Sequence, residues 1–114
     1  MPKSSAAIRE LNDRFRKGDA SIPGRIMITS GVQTLIAKQD DGLQIVIQAV
    51  RDFDDFSKGN DPYAEHDFGA FDCLGARLYW KLDYYAPDME HGSENPADAG
   101  QTVRVMTIML AEEY

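Results

Sequence analysis

Glu65, His66 and Asp67 stand consecutively, a histidine between two carboxylates. Those residue types can form a general base or hold a metal ion. Their spacing argues against joint action. In an extended chain Glu65 and Asp67 point one way and His66 the other, so they converge only where the backbone bends. The second histidine, His91, sits in a separate acidic segment and reaches the first only if that segment folds back. The plainer reading has His66 bonding loop backbone or Asp61 and ordering a turn. Asp61-Pro62-Tyr63 has turn chemistry of its own, an aspartate that bonds nearby backbone and a proline that fixes φ.

A second group is a stripe. Tyr79, Lys81, Asp83 and Tyr85 alternate with Leu78, Trp80, Leu82 and Tyr84, so one strand face mixes aromatic rings with charge. Tyrosine is enriched at protein-interface hot spots. The competing reading is a solvated or helix-covered strand face. Trp80, between Leu78 and Leu82, belongs to the core. Cys73 has no neighbouring base to depress its pKa and reads as an inert thiol. A lone cysteine makes no internal disulfide, which fits a reducing cytoplasm. Glycine-rich phosphate loops, paired CxxC motifs, a GxSxG elbow and an HExxH helix are absent, so neither metal nor cofactor is expected.

The formal net charge is −7, and it is unevenly placed. Residues 1–26 carry six basic and three acidic side chains; the rest carry six basic and sixteen acidic. Within 40–98 there are fourteen acids and four bases. Such a field repels nucleic-acid phosphates and attracts a cationic protein surface. Solubility alone is the plainer account of it. The expected binding surface comprises Asp61, Tyr63, Glu65, Tyr79, Lys81, Asp83, Tyr85, Asp88, Glu90 and Glu94. No run approaches the roughly 20 apolar residues of a membrane span, and the start lacks the apolar stretch of a signal peptide.

These residues need elements to place them. Ile8, Leu11 and Phe15 predict a first helix within 1–18, capped by Ser4 or Ser5 and stopped at Gly18. Residues 25–29 read as a short strand, and 32–37 as one helical turn. Asp40-Asp41-Gly42 opens a helix whose Leu43, Val46, Ile47, Val50 and Phe53 form a core stripe, fading near 56–59. Residues 66–73 and 77–85 predict a hairpin around Leu74-Gly75-Ala76. Segment 86–101 is a long acidic loop, of a kind usually functional or mobile. Residues 102–111 are apolar on both faces and predict a central strand covered on both sides. The expected architecture is one α+β domain over 1–114, a small four-stranded, mostly antiparallel sheet packed with two helices. The strand at 25–29 lies beside the last, and the first helix covers an edge or part of the other face.

Longer motifs add a resemblance. Phe53-Asp54-Asp55-Phe56, Asn60-Asp61-Pro62-Tyr63-x-Glu65-His66-Asp67-Phe68-Gly69, Trp80 to Tyr85, Gly92-Ser93-Glu94 and Val105 to Tyr114 resemble a bacterial family of short proteins of unknown function. Asn12 to Arg16 and Gly24 to Met27 extend the likeness. The family is common in alphaproteobacteria and often sits on plasmids and other mobile elements. The chain departs from it at Ala64, where glycine is usual, and at Asn95, where aspartate is usual. The resemblance implies a genomic setting and no particular reaction.

The favoured expectation is a non-enzymatic, cytoplasmic interaction protein that docks on a basic protein surface and binds neither nucleic acid nor membrane. In the setting implied, it would inhibit a host nucleic-acid-targeting defence complex, as an anti-CRISPR or anti-restriction protein. An alternative is a small hydrolase or metal-binding protein centred on His66 with Glu65 and Asp67. A further one is an intracellular regulator acting as a homodimer through an exposed strand edge.

Overall fold

The computed structural model describes residues 4–57, 59 and 61–114, with Ser4 by its backbone alone. Expectations placed on Met1, Pro2, Lys3, the Ser4 side chain, Lys58 and Asn60 lie outside the described residues. In chain order the elements are α1 (Ser4–Arg16), β1 (Gly24–Ile28), α2 (Ser30–Ile36), α3 (Gly42–Asp52), β2 (Phe68–Cys73), β3 (Ala76–Tyr85) and β4 (Val103–Leu110). The sheet runs β1-β4-β3-β2. β2, β3 and β4 form an antiparallel meander, and β1 joins β4 in parallel. The α+β class and the mostly antiparallel sheet are therefore as the sequence indicates. A third helix, α2, occupies the stretch that reads as a single turn. The Thr29 hydroxyl starts it by accepting from the Val32 amide, and Val32 is fully buried.

One core holds the layers together. Phe15, Val32, Val46 and Val50 from the three helices pack with Leu78, Trp80, Leu82, Met106 and Ile108 from one face of the sheet. The sequence expectation for α1 is thus corrected: it shares this face with α3 and covers no part of the other. Phe15 seats on Gly24, where a Cβ would fall 2.3 Å from the ring, and this close approach holds α1 against β1. Gly42 is similarly constrained, since a Cβ there would lie 2.2 Å from the Ile36 carbonyl oxygen. That contact lets α3 leave α2 by a sharp corner. Asp41 takes the N-cap position of α3 without a side-chain cap bond, and Leu43 remains 48% exposed rather than entering the core. The corner turns the first residue of the stripe outward.

The strand β4 is central, but the helices cover one side of it; on the other, Met109 alone is buried. Arg104, Met106 and Ile108 are buried against the helices, while Val103, Val105 and Thr107 on the other face are partly exposed. The helices are spent on the first face, which is why the apolar pattern of β4 overstates its cover. Among the described residues, no helix is long and apolar enough to cross a membrane.

Candidate functional site

Three of the buried side chains in α1 are polar: Ser5, Asn12 and Arg16. Asn12 is fully buried and Arg16 is 2% exposed. The Arg16 Nη1 donates to the carbonyls of Val50 (2.9 Å), Arg51 (3.1 Å) and Phe53 (3.0 Å). It therefore caps the C-terminal end of α3, where carbonyls lack helical partners and the dipole is negative. Its guanidinium also lies over the rings of Phe56 and Trp80 at 5.2 and 5.4 Å. Burial pulls its pKa down, opposed by the nearby Asp13.

Asp13 links this cation to His66. The His66 Nδ1 is 2.8 Å from Asp13 Oδ1, and its Nε2 is 3.4 Å from Asp61 Oδ2. The imidazole stacks flat on Phe56 at 3.6 Å, and the His66 amide donates to Asp61 Oδ1. Both ring nitrogens thus face carboxylates that help to order the loop. Asp61 is itself buried, and the backbone it bonds lies five residues on.

The backbone does bend at the consecutive triad, with φ of 56° at Ala64 and 54° at His66. The bend separates the three side chains. Glu65 Oε1 accepts from Tyr84 Oη at 3.0 Å, and its carbonyl accepts from Asn12 Nδ2 at 2.9 Å. Asn12 in turn accepts from Arg104 Nε at 2.6 Å. Burial drives the Tyr84 phenol well above its usual pKa, so it stays a donor. His91 pairs with Asp88 in the distant loop at 2.8 Å. Among the described residues, no three His, Cys, Asp or Glu side chains gather to hold a metal.

Alanine in the left-handed region is strained, because its Cβ crowds the carbonyl oxygen. Ala64→Gly is expected to raise stability by about 0.5–1 kcal/mol, net of the greater freedom of the unfolded glycine chain. Urea unfolding measures it; an unchanged or lower midpoint would refute the strain.

Asp67 goes its own way, to the lip of an open groove of about 410 Å³ that Tyr63, Phe68, Lys81, Asp83 and Tyr114 also line. Burial raises its pKa first, helped by the charges of Glu65, Asp61 and Asp83. The folded chain therefore holds this proton to higher pH than the unfolded chain, and stability falls as pH rises through that window. Asp67→Asn is expected to raise Tm at neutral pH. The gain should disappear below the ordinary aspartate range of about 4, where both states are protonated. A thermal melt series over pH checks this, and a lower Tm at neutral pH would contradict it.

Three of the ten expected surface residues, Tyr63, Lys81 and Asp83, line this groove. Lys81 Nζ bonds Asp83 Oδ2 at 2.6 Å, with Tyr79 and Tyr85 on the same sheet face. Tyr63 is 67% exposed beside them. Phe68, Tyr79 and Tyr114 form a ring cluster on that face, with centroids 5.1 to 6.2 Å apart. Phe68 and Tyr114 escape a reading of the stripe alone, although Phe68 pairs with Lys81 in register. Asp88, Glu90 and Glu94 are exposed in the loop beyond β3. That loop is tied down by Ala86 to His91 and Ser93 to Tyr84 backbone bonds. The Glu90 amide, and then His91, hold Asp88 below the usual carboxylate range. Cys73 is partly buried, which pushes its thiol up.

These features define a two-layer α+β protein with helices on one side of its sheet and an aromatic, charged face on the other. Residues 28–113 match the family described as "Protein of unknown function (DUF3768)", and the chain belongs to that family. No curated protein and no solved structure matches the chain.

Proposed function

We propose that this is a non-enzymatic interaction protein that presents its helix-free sheet face to a cationic surface on a partner protein. The observation that carries the reading is the face itself. Tyr79, Lys81, Asp83, Tyr85 and Phe68 stand partly exposed on it, with Asp67 at the lip of its groove. Of the fourteen acids at 40–98, Asp61 alone is buried. The partner is a protein with a basic groove; nucleic acid would be repelled, and a membrane surface is not engaged. In its finer form, the protein is a cytoplasmic mobile-element inhibitor that occupies the basic groove of a host restriction or CRISPR effector. The supports are charge, small size and the resemblance to short proteins of plasmids and mobile elements.

Expression in bacteria with an active defence system should restore plating of a targeted phage. The purified protein should bind the purified effector at low salt and release it at high salt. Normal interference together with no salt-sensitive complex would end this reading. A second reading, a homodimeric regulator, is favoured by the edge strand β1, where Ile26 and Met27 are 45% and 53% exposed. Light scattering separates the two: a dimer that dissociates on Met27→Lys supports the second.

A further inference from the structure

The carboxylates leading into β2 are committed, with one exception. Asp61 receives the His66 amide, and Glu65 receives the Tyr84 hydroxyl. Asp67 accepts from its own backbone amide, has no side-chain hydrogen-bonding or ion-pair partner among the described residues, and is half-buried beside Glu65, Asp61 and Asp83. A partly desolvated anion without a counter-ion opposes folding, and proteins tolerate such groups chiefly at functional sites. Its surroundings say what it waits for. The exposed ring of Tyr63 stands on the groove with Phe68 and Tyr114, and Tyr79 packs against both of the latter at 5.1 and 5.5 Å. Asp83 completes the lining, already holding Lys81.

A second carboxylate within reach excludes an anion, and a carboxylate in the lining disfavours a purely apolar guest. A bare divalent ion would find too few ligands there among the described residues. An organic cation meets both conditions, because its charge pairs with carboxylate while its flat face lies on aromatic rings. Guanidinium fits better than ammonium, being planar, forked and weakly hydrated.

We propose that the groove between the 61–67 loop and the open sheet face receives an arginine side chain of the partner, with Asp67 and Asp83 as counter-charges and Tyr63, Phe68 and Tyr114 as flanking rings. This rests on the reading of a cationic protein partner and names the contact through which it is made.

The test is an NMR titration of the full chain with acetylated, amidated tetra-arginine, tetra-lysine and tetra-serine peptides at low ionic strength. Amide shifts should centre on Tyr63, Asp67, Phe68, Lys81, Asp83 and Tyr114, with arginine binding more tightly than lysine and serine not at all. Asp67→Asn should weaken arginine binding by about tenfold or more, as loss of a charge-assisted bond does. The same variant is expected to melt no lower than the parent, so unfolding cannot account for the loss. Tyr63→Ala, at an exposed site, should weaken binding severalfold by removing a ring. If arginine instead shifts only Asp88, Glu90 and Glu94, and Asp67→Asn binds like the parent, the groove is overturned while the anionic-surface reading survives. If no basic peptide binds, both fall. Binding at the groove without defence inhibition leaves the arginine site standing and removes only the proposed effector.

Discussion

Arg16→Ala is expected to lower stability by about 3–5 kcal/mol, a large share of the roughly 5–15 kcal/mol that holds a domain of this kind. Three carbonyls at the end of α3 would lose their only described side-chain donor. Each buried acceptor left unpaired costs about 1–3 kcal/mol, although water entering the gap would recover part of it. The rings of Phe56 and Trp80 would also lose the flat group lying over them. Asp13 would keep only His66. Arg16→Lys keeps the charge without the fork, so it should recover less than half of the loss. Urea unfolding followed by fluorescence of the buried Trp80 measures both variants. A loss under about 1 kcal/mol for alanine would mean that the α3 end finds other donors.

The second large effect is expected at Arg104, which is fully buried in the central strand. Its Nε donates to Asn12, its Nη2 to the Pro96 carbonyl, and its plane lies 5.2 Å from the Tyr84 ring centroid. Burial lowers its pKa, while Tyr84 and Glu65 oppose that. Arg104→Met fills similar volume but strands the Asn12 side-chain oxygen and the Pro96 carbonyl. A loss of about 3 kcal/mol follows, since each buried acceptor left unpaired costs about 1–3 kcal/mol. Asn12→Leu made together with it should cost less than the two changes summed, by about 1–2 kcal/mol, because the stranded amide is then gone. Additivity within about 0.5 kcal/mol would show that the two side chains act independently.

Both predictions concern charged residues that hydropathy patterning does not count among the core. A stripe search counts Ile8, Leu11 and Phe15 as the buried face of α1, and assigns Arg16 to the helix end. The face that packs is Ser5, Ile8, Asn12, Phe15 and Arg16. Polar members of a core are invisible to hydropathy, because what makes them tolerable is partners distant in sequence, such as the α3 carbonyls. The strands are different. Alternation from Leu78 to Tyr84 is local information, and it survives folding because the pleat is local as well. The candidate site lies between these cases. Tyr79, Lys81, Asp83 and Tyr85 are legible as one face. That Asp67 and Tyr114 join them depends on two left-handed residues in the 61–67 loop and on the turn after β4. Neither leaves a periodic trace.

The order β1-β4-β3-β2 also has a consequence for synthesis on the ribosome. One of the two inner strands, β4, is the last of the four strands to emerge, and β1 has no partner until residues 103–110 are out of the exit tunnel. The β2–β3 hairpin can pair earlier, but Trp80 and Leu82 would wait beside a vacant slot. Nascent chains should therefore stay open to chaperones and proteases until residues 103–110 have emerged, and then close in one long-range step.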